Sequence, residues 1–80
     1  MKLPRDISGD ELIKILQRLG YQPSRQTGSH VRMSFTMTNQ EEHHVTVPRH
    51  KNLRMGTLNA VLQDVAGHLG LDKQEILKKR

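Results

Sequence analysis

The sequence predicts an α+β domain in the order α-β-β-β-α: a three-stranded antiparallel sheet with both main helices on one face, followed by a short C-terminal helix. Three observations carry that expectation. Leu12 to Leu19 and Leu58 to Leu69 each place apolar residues at helical spacing. Between them, His30 to Thr36 and His43 to Pro48 alternate apolar and polar residues with the period of a strand. A chain of 80 residues without cysteine supports one modest core and no disulfide partner. Residues 1–80 are therefore expected to form one domain, with 72–80 a short helical tail.

The first helix is announced by Ser8 and Glu11, an S-x-x-E capping box in which each side chain satisfies an unpaired N–H of the first turn. Ile7 and Leu12 flank it as a hydrophobic staple, and Leu12, Ile15, Leu16 and Leu19 make one apolar stripe. Gly20 supplies the stop, so the helix is expected over Gly9 to Leu19. Tyr21 to Gln26 is a short strand, placed at an edge by Pro23, which cannot donate to a ladder. Thr27-Gly28 signals a turn.

In the next strand Val31, Met33 and Phe35 point one way, and His30, Arg32, Ser34 and Thr36 the other. Thr38 to Glu42 reads as a polar loop. Val45 and Val47 then face the core, with His44 and Thr46 opposite. A loop tip at Gln40 would set Phe35 against Val45 and Met33 against Val47. Slips of two residues are the alternatives, since they keep every side chain on its face. Leu58, Val61, Leu62, Val65 and Leu69 define the second helix, capped by Thr57 or a neighbour and ended by Gly70. Asp72 and Glu75 repeat the capping box ahead of a third helix, which runs to about Lys79.

Thirteen Lys and Arg against eight Asp and Glu give a net charge of +5. No acid lies between Glu11 and Glu41, or between Glu42 and Asp64. Such a bias suits a polyanionic partner. No apolar run resembles a secretion signal or spans a membrane, so a cytoplasmic protein without membrane contact is expected. The glycines form no phosphate-binding loop, and the few aromatics offer no base-stacking platform.

His30 begins a strand on the polar face, beside Arg32 and near Arg49 and His50. RNA carries its own nucleophile, the 2′-hydroxyl. A protein that cleaves it must supply a base, an acid and cations for the developing charge. Imidazole suits the proton steps and arginine the phosphate. No metal or other cofactor is needed for that chemistry. A solvent-facing strand histidine is, in the plainer reading, only a surface residue. His43 and His44 point to opposite faces and cannot share an ion. His68 is expected at the rim of the second helix. Arg49 to Arg54 is the densest basic stretch, a phosphate grip or a solvated linker; Lys78 to Arg80 is a solvated terminus.

At these residues the chain resembles the HicA family of toxin–antitoxin systems. The matching pieces are Ser8-Gly9-x-Glu11-Leu12-Ile13, Leu19-Gly20-Tyr21, Arg25-Gln26-x-Gly28-Ser29-His30, Val45-Thr46-Val47-Pro48-Arg49-His50 and Gly56-Thr57-Leu58. The resemblance implies a double-stranded-RNA-binding-like fold and ribosome-independent mRNA cleavage. It further implies His30 as the catalytic residue and a HicB-type antitoxin that covers the site. Arg25, Ser29, Arg32, Arg49, His50 and Lys51 are the expected substrate contacts. His44 and His50 both stand as second acid–base groups, as does no second histidine. Two other function classes fit the same residues: a non-catalytic RNA-binding module, and a protein-interaction domain with a basic face.

Overall fold

The structure is a computed structural model and describes residues 3–37 and 39–80. Its elements are α1 (Gly9–Leu19), β1 (Gln22–Thr27), β2 (His30–Thr36), β3 (Glu42–Pro48), α2 (Met55–Leu69) and α3 (Lys73–Leu77). The strands form one antiparallel sheet in the order β1-β2-β3. The architecture is the expected α+β one, compatible with the double-stranded-RNA-binding-like fold.

The local signals act as their chemistry requires. Ser8 Oγ accepts from the Glu11 N–H at 3.1 Å, and Glu11 Oε1 accepts from the Ser8 N–H at 3.4 Å. Asp72 and Glu75 close the same box before α3. Val31, Met33, Val45 and Val47 from the sheet pack with Leu12, Ile15 and Leu16 of α1 and Leu58, Leu62 and Val65 of α2 in one core cluster. β1, with Pro23, is an edge strand as expected, and all its residues are exposed.

The hairpin register differs from the expected one by a two-residue slip. Met33 faces Val45, Val31 faces Val47, and Phe35 faces His43. The turn decides this: Gln40 adopts φ 67°, its N–H donates to the Met37 carbonyl at 2.9 Å, and the Met37 N–H donates to Glu41 O at 2.8 Å. Pairing thus reaches Glu41, and Glu42 belongs to the strand instead of the loop; Thr38 lies outside the described residues. An apolar pattern of period two cannot distinguish slips of two.

α2 also differs at its start. It begins at Met55 with Arg54 at the N-cap position and no side-chain cap, so Thr57 lies inside the helix. The entry is fixed by tertiary contact: Leu53 is buried, and its N–H donates to Ile7 O at 2.9 Å.

The C-terminal basic residues are not simply solvated. Ile76 of α3 is fully buried in the core. Arg80 Nε donates to Glu11 Oε2 at 3.1 Å, and its guanidinium lies 3.8 Å from Asp6. Arg18 donates to the Lys79 carbonyl. These contacts hold the tail against α1.

Candidate active site on the open face of the sheet

The helices cover one face of the sheet and leave the other open. On the open face the register aligns Arg25 beside Arg32, Thr27 beside His30, and His30 beside Pro48. His30, Arg25 and Arg32 are all exposed, and His30 makes no side-chain hydrogen bond among the described residues. Directly opposed like charges on neighbouring strands destabilise a sheet. The Arg25–Arg32 pair has no acid opposite it on β3, where the residue facing Arg32 is Thr46. An anion lying between the two guanidinium groups would remove that repulsion.

The β1–β2 connection explains why Gly28 and Ser29 precede the histidine. Thr27 pairs with His30, leaving a two-residue turn. Gly28 occupies its first position at φ 58°, whereas Ser29 keeps an ordinary negative φ. A glycine first, then any residue, is what this kind of tight hairpin asks for. Gln26 Nε2 donates to the Gly28 carbonyl at 3.1 Å, and the Arg49 N–H donates to Ser29 O at 2.6 Å. His30 is therefore delivered by a turn held from two sides.

Arg49 and its neighbours join this end of the sheet, but not in the way a row of phosphate contacts would. Alternation from Pro48 directs the Arg49 side chain to the helix side. There its Nε donates to Asp10 Oδ1 at 2.8 Å, a bond that raises the guanidinium pKa further above its ordinary value. The His50 carbonyl accepts from the Gly9 N–H at 2.9 Å. Gly9 is buried at this junction, and a Cβ there would lie 2.0 Å from the Pro48 carbonyl oxygen. Close approach of α1 to the end of β3 thus needs glycine. The His50 and Lys51 side chains are exposed beyond it.

The remaining histidines divide as their alternation requires, His44 onto the open face and His43 toward α2. Ser34 Oγ lies 2.7 Å from His44 Nδ1. His43 forms a cluster that the sequence did not reveal. Tyr21 is fully buried, and its phenol pKa is pushed up to about 12, mainly by burial and secondarily by Asp64. It therefore stays protonated and donates its O–H to His43 Nδ1 at 2.6 Å. The proton of neutral His43 then sits on Nε2, 3.0 Å from Asp64 Oδ1. His68, half-buried at the rim of α2, stacks on His43 with ring centroids 4.0 Å apart. Its Nε2 is buried without a partner among the described residues. Sequence signals for the cluster existed in the core-facing position of His43 and in the placement of Asp64 and His68 one helical turn apart on α2.

Among the described residues no three His, Cys, Asp or Glu side chains gather as a metal-binding group, and no helix is long and apolar enough to cross a membrane. A surface depression lined by Leu3, Pro4, Arg5, Gln74, Leu77 and Arg80 lies between the N-terminal segment and α3 and includes none of the residues around His30.

The structure is thus a small α+β domain that presents a histidine on an open, cationic face of its sheet. The family model for the HicA toxin of bacterial toxin–antitoxin systems matches residues 9–66, and the chain belongs to that family. It is thus a toxin component of a toxin–antitoxin system. The match takes in α1, the whole sheet and most of α2, and leaves α3 outside. No curated protein and no solved structure matches the chain significantly.

Proposed function

We propose that this protein is a ribosome-independent endoribonuclease that cleaves mRNA without a metal ion, using His30 as acid or base. The observation that carries the reading is the exposed His30 side chain, unpartnered among the described residues, two residues from an Arg25–Arg32 pair that lacks an acidic neighbour. Family membership supports a toxin acting on a cellular target; the open cationic face favours RNA as that target.

In the reaction the 2′-oxygen attacks the adjacent phosphorus as its proton passes to a base. The P–O2′ bond forms, the P–O5′ bond breaks, and the leaving 5′-oxygen takes up a proton. His30 supplies one of the two proton transfers. Arg32 and Arg25 face the non-bridging oxygens, where negative charge develops and fixed donors contribute most. His50 and Lys51 extend the cationic edge toward neighbouring phosphates. Ser29 and Arg49 contribute through their main chains, whose mutual hydrogen bond sets the position of His30. A HicB-type antitoxin that covers this face would silence the enzyme by exclusion.

The test is incubation of the purified protein with a long unstructured RNA in EDTA, followed by analysis of the product ends. The expected products carry 2′,3′-cyclic phosphate and 5′-hydroxyl ends. Loss of cleavage in the chelator would refute the metal-independent mechanism. Binding without any cleavage would identify a non-catalytic RNA-binding module of the same fold.

A further inference from the structure

Away from His30, four side chains form a single line across all three strands of the open face. Ser24 Oγ lies 2.6 Å from Ser34 Oγ, Ser34 Oγ lies 2.7 Å from His44 Nδ1, and His44 Nε2 lies 3.4 Å from the Glu42 carboxylate. The register shift between Pro23 and Arg25 makes Ser24 the extra residue of a bulge, and such bulges re-aim side chains.

Proton accounting gives the line a polarity. The carboxylate beside Nε2 keeps a proton on that nitrogen, so Nδ1 of neutral His44 accepts. Ser34 has one hydrogen, which goes to Nδ1; Ser24 has one, which goes to Ser34. Every hydrogen is then used within the line. Protonation of His44 turns the serine hydrogens around, toward the Arg32 carbonyl that lies 3.2 Å from Ser24 Oγ. In both states the groups left for a ligand are acceptors: the Glu42 oxygens and the hydroxyl lone pairs.

This end of the face also differs in charge. Glu42 is half exposed, and its partner on β2 is the neutral Thr36. A phosphate is repelled there, whereas the Arg25–Arg32 pair attracts one. The His44 ring, 32% exposed, is held at one nitrogen by a hydrogen bond and faced by a carboxylate at the other. Its plane is therefore set before any ligand arrives. His30 stands opposite Pro48 and His44 opposite Ser34, a separation of four residues along the strands. At about 3.3 Å per residue that is about 13 Å, or about four nucleotides of a stacked strand.

The geometry points to a nucleobase subsite at Ser24, Ser34, His44 and Glu42, which takes an amine-bearing base of the same RNA strand about four nucleotides from the cleaved phosphate and rejects uracil. An exocyclic amine donates to Glu42, and carboxylate acceptance from such amines is a known mode of base readout. Uracil has no exocyclic amine, and its one ring donor, N3–H, is flanked on both sides by carbonyl oxygens that would meet a line of acceptors. This subsite rests on the ribonuclease reading above.

The test maps cleavage sites of the wild type, Glu42→Gln and His44→Ala on a pool of randomised RNA, with thermal unfolding to verify that each variant is folded. In the wild type, uracil should be depleted about fivefold or more at one fixed distance from the cut, the low end of a base-specific contact. In Glu42→Gln, whose amide can also donate to a carbonyl, that depletion should vanish while cleavage persists; His44→Ala should weaken it too. A wild-type map without a position of uracil depletion, or a depletion that survives both substitutions, overturns the subsite and leaves the nuclease reading intact. A folded wild type that cuts no RNA overturns both.

Discussion

Gly9→Ala tests the junction that supports His30. The added Cβ would lie 2.0 Å from Pro48 O, 2.8 Å from Arg49 Cα and 2.9 Å from the Pro48 carbonyl carbon, all of them backbone atoms. Real Cβ contacts do not fall below 3.0 Å, so the start of α1 and the end of β3 must part by about 1 Å. That overpacking costs about 1–3 kcal/mol. Separation also weakens the Gly9 N–H to His50 O bond, now 2.9 Å long, which contributes about 1 kcal/mol. Alanine restricts the unfolded chain more than glycine does and offsets up to about 1 kcal/mol. A net loss of about 1–4 kcal/mol remains, which lowers Tm by at least about 4 °C in a domain of this size. Gly67→Ala is the control. Gly67 lies within α2, and a Cβ added there would meet nothing within 4 Å; the substitution should raise stability by about 0.5–1 kcal/mol. Thermal unfolding followed by circular dichroism reads both. A Gly9→Ala variant melting within about 3 °C of the wild type would refute the close-approach argument.

Three further outcomes follow from the same structure. Tyr21 is the sole tyrosine, so its absorbance titration reports one group; the midpoint should lie near pH 12. Because the phenol is raised when folded, its contribution is complete below about pH 10, where the unfolded tyrosine begins to ionise, and is lost as pH rises to about 12. A midpoint near 10 in the folded protein would contradict the buried donor role. Ile76→Ala should cost about 2–4 kcal/mol, because the side chain is fully buried in the shared core; a loss below about 0.5 kcal/mol would show α3 to be dispensable. Arg32→Ala should weaken RNA binding uniformly across sequences and reduce the salt dependence by about one phosphate contact. An unchanged salt slope would remove Arg32 from the phosphate track.

The helices were legible in the sequence because their signals are local. Ser8, Glu11 and Gly20 mark both ends of α1, and the structure places it over the same residues, Gly9–Leu19. Alternation fixed which face each strand residue takes, including the opposite directions of His43 and His44. It left the register open, since a slip of two preserves faces, and the left-handed Gln40 settled it. The start of α2 was misplaced because Arg54 offers no cap and Leu53 anchors the entry through a long-range contact. Arg49 and Arg80 looked like open cations; Asp10, Glu11 and Asp6 reach them only through the fold. The exposed position of His30 was legible, while the two hydrogen bonds that hold its turn involve Gln26 and the distant Arg49.

The central claim is that His30 carries the chemistry and that the rest of the face carries binding. The most direct measurement compares the cleavage rate of one RNA by wild type and His30→Ala, with RNA affinity and Tm measured on both. The side chain is exposed and has no side-chain hydrogen bond among the described residues, so Tm and binding should hold while the rate falls at least about 10²-fold, the least expected of a general acid or base. A His30→Ala variant that is folded, binds RNA and still cuts at the wild-type rate would contradict the account.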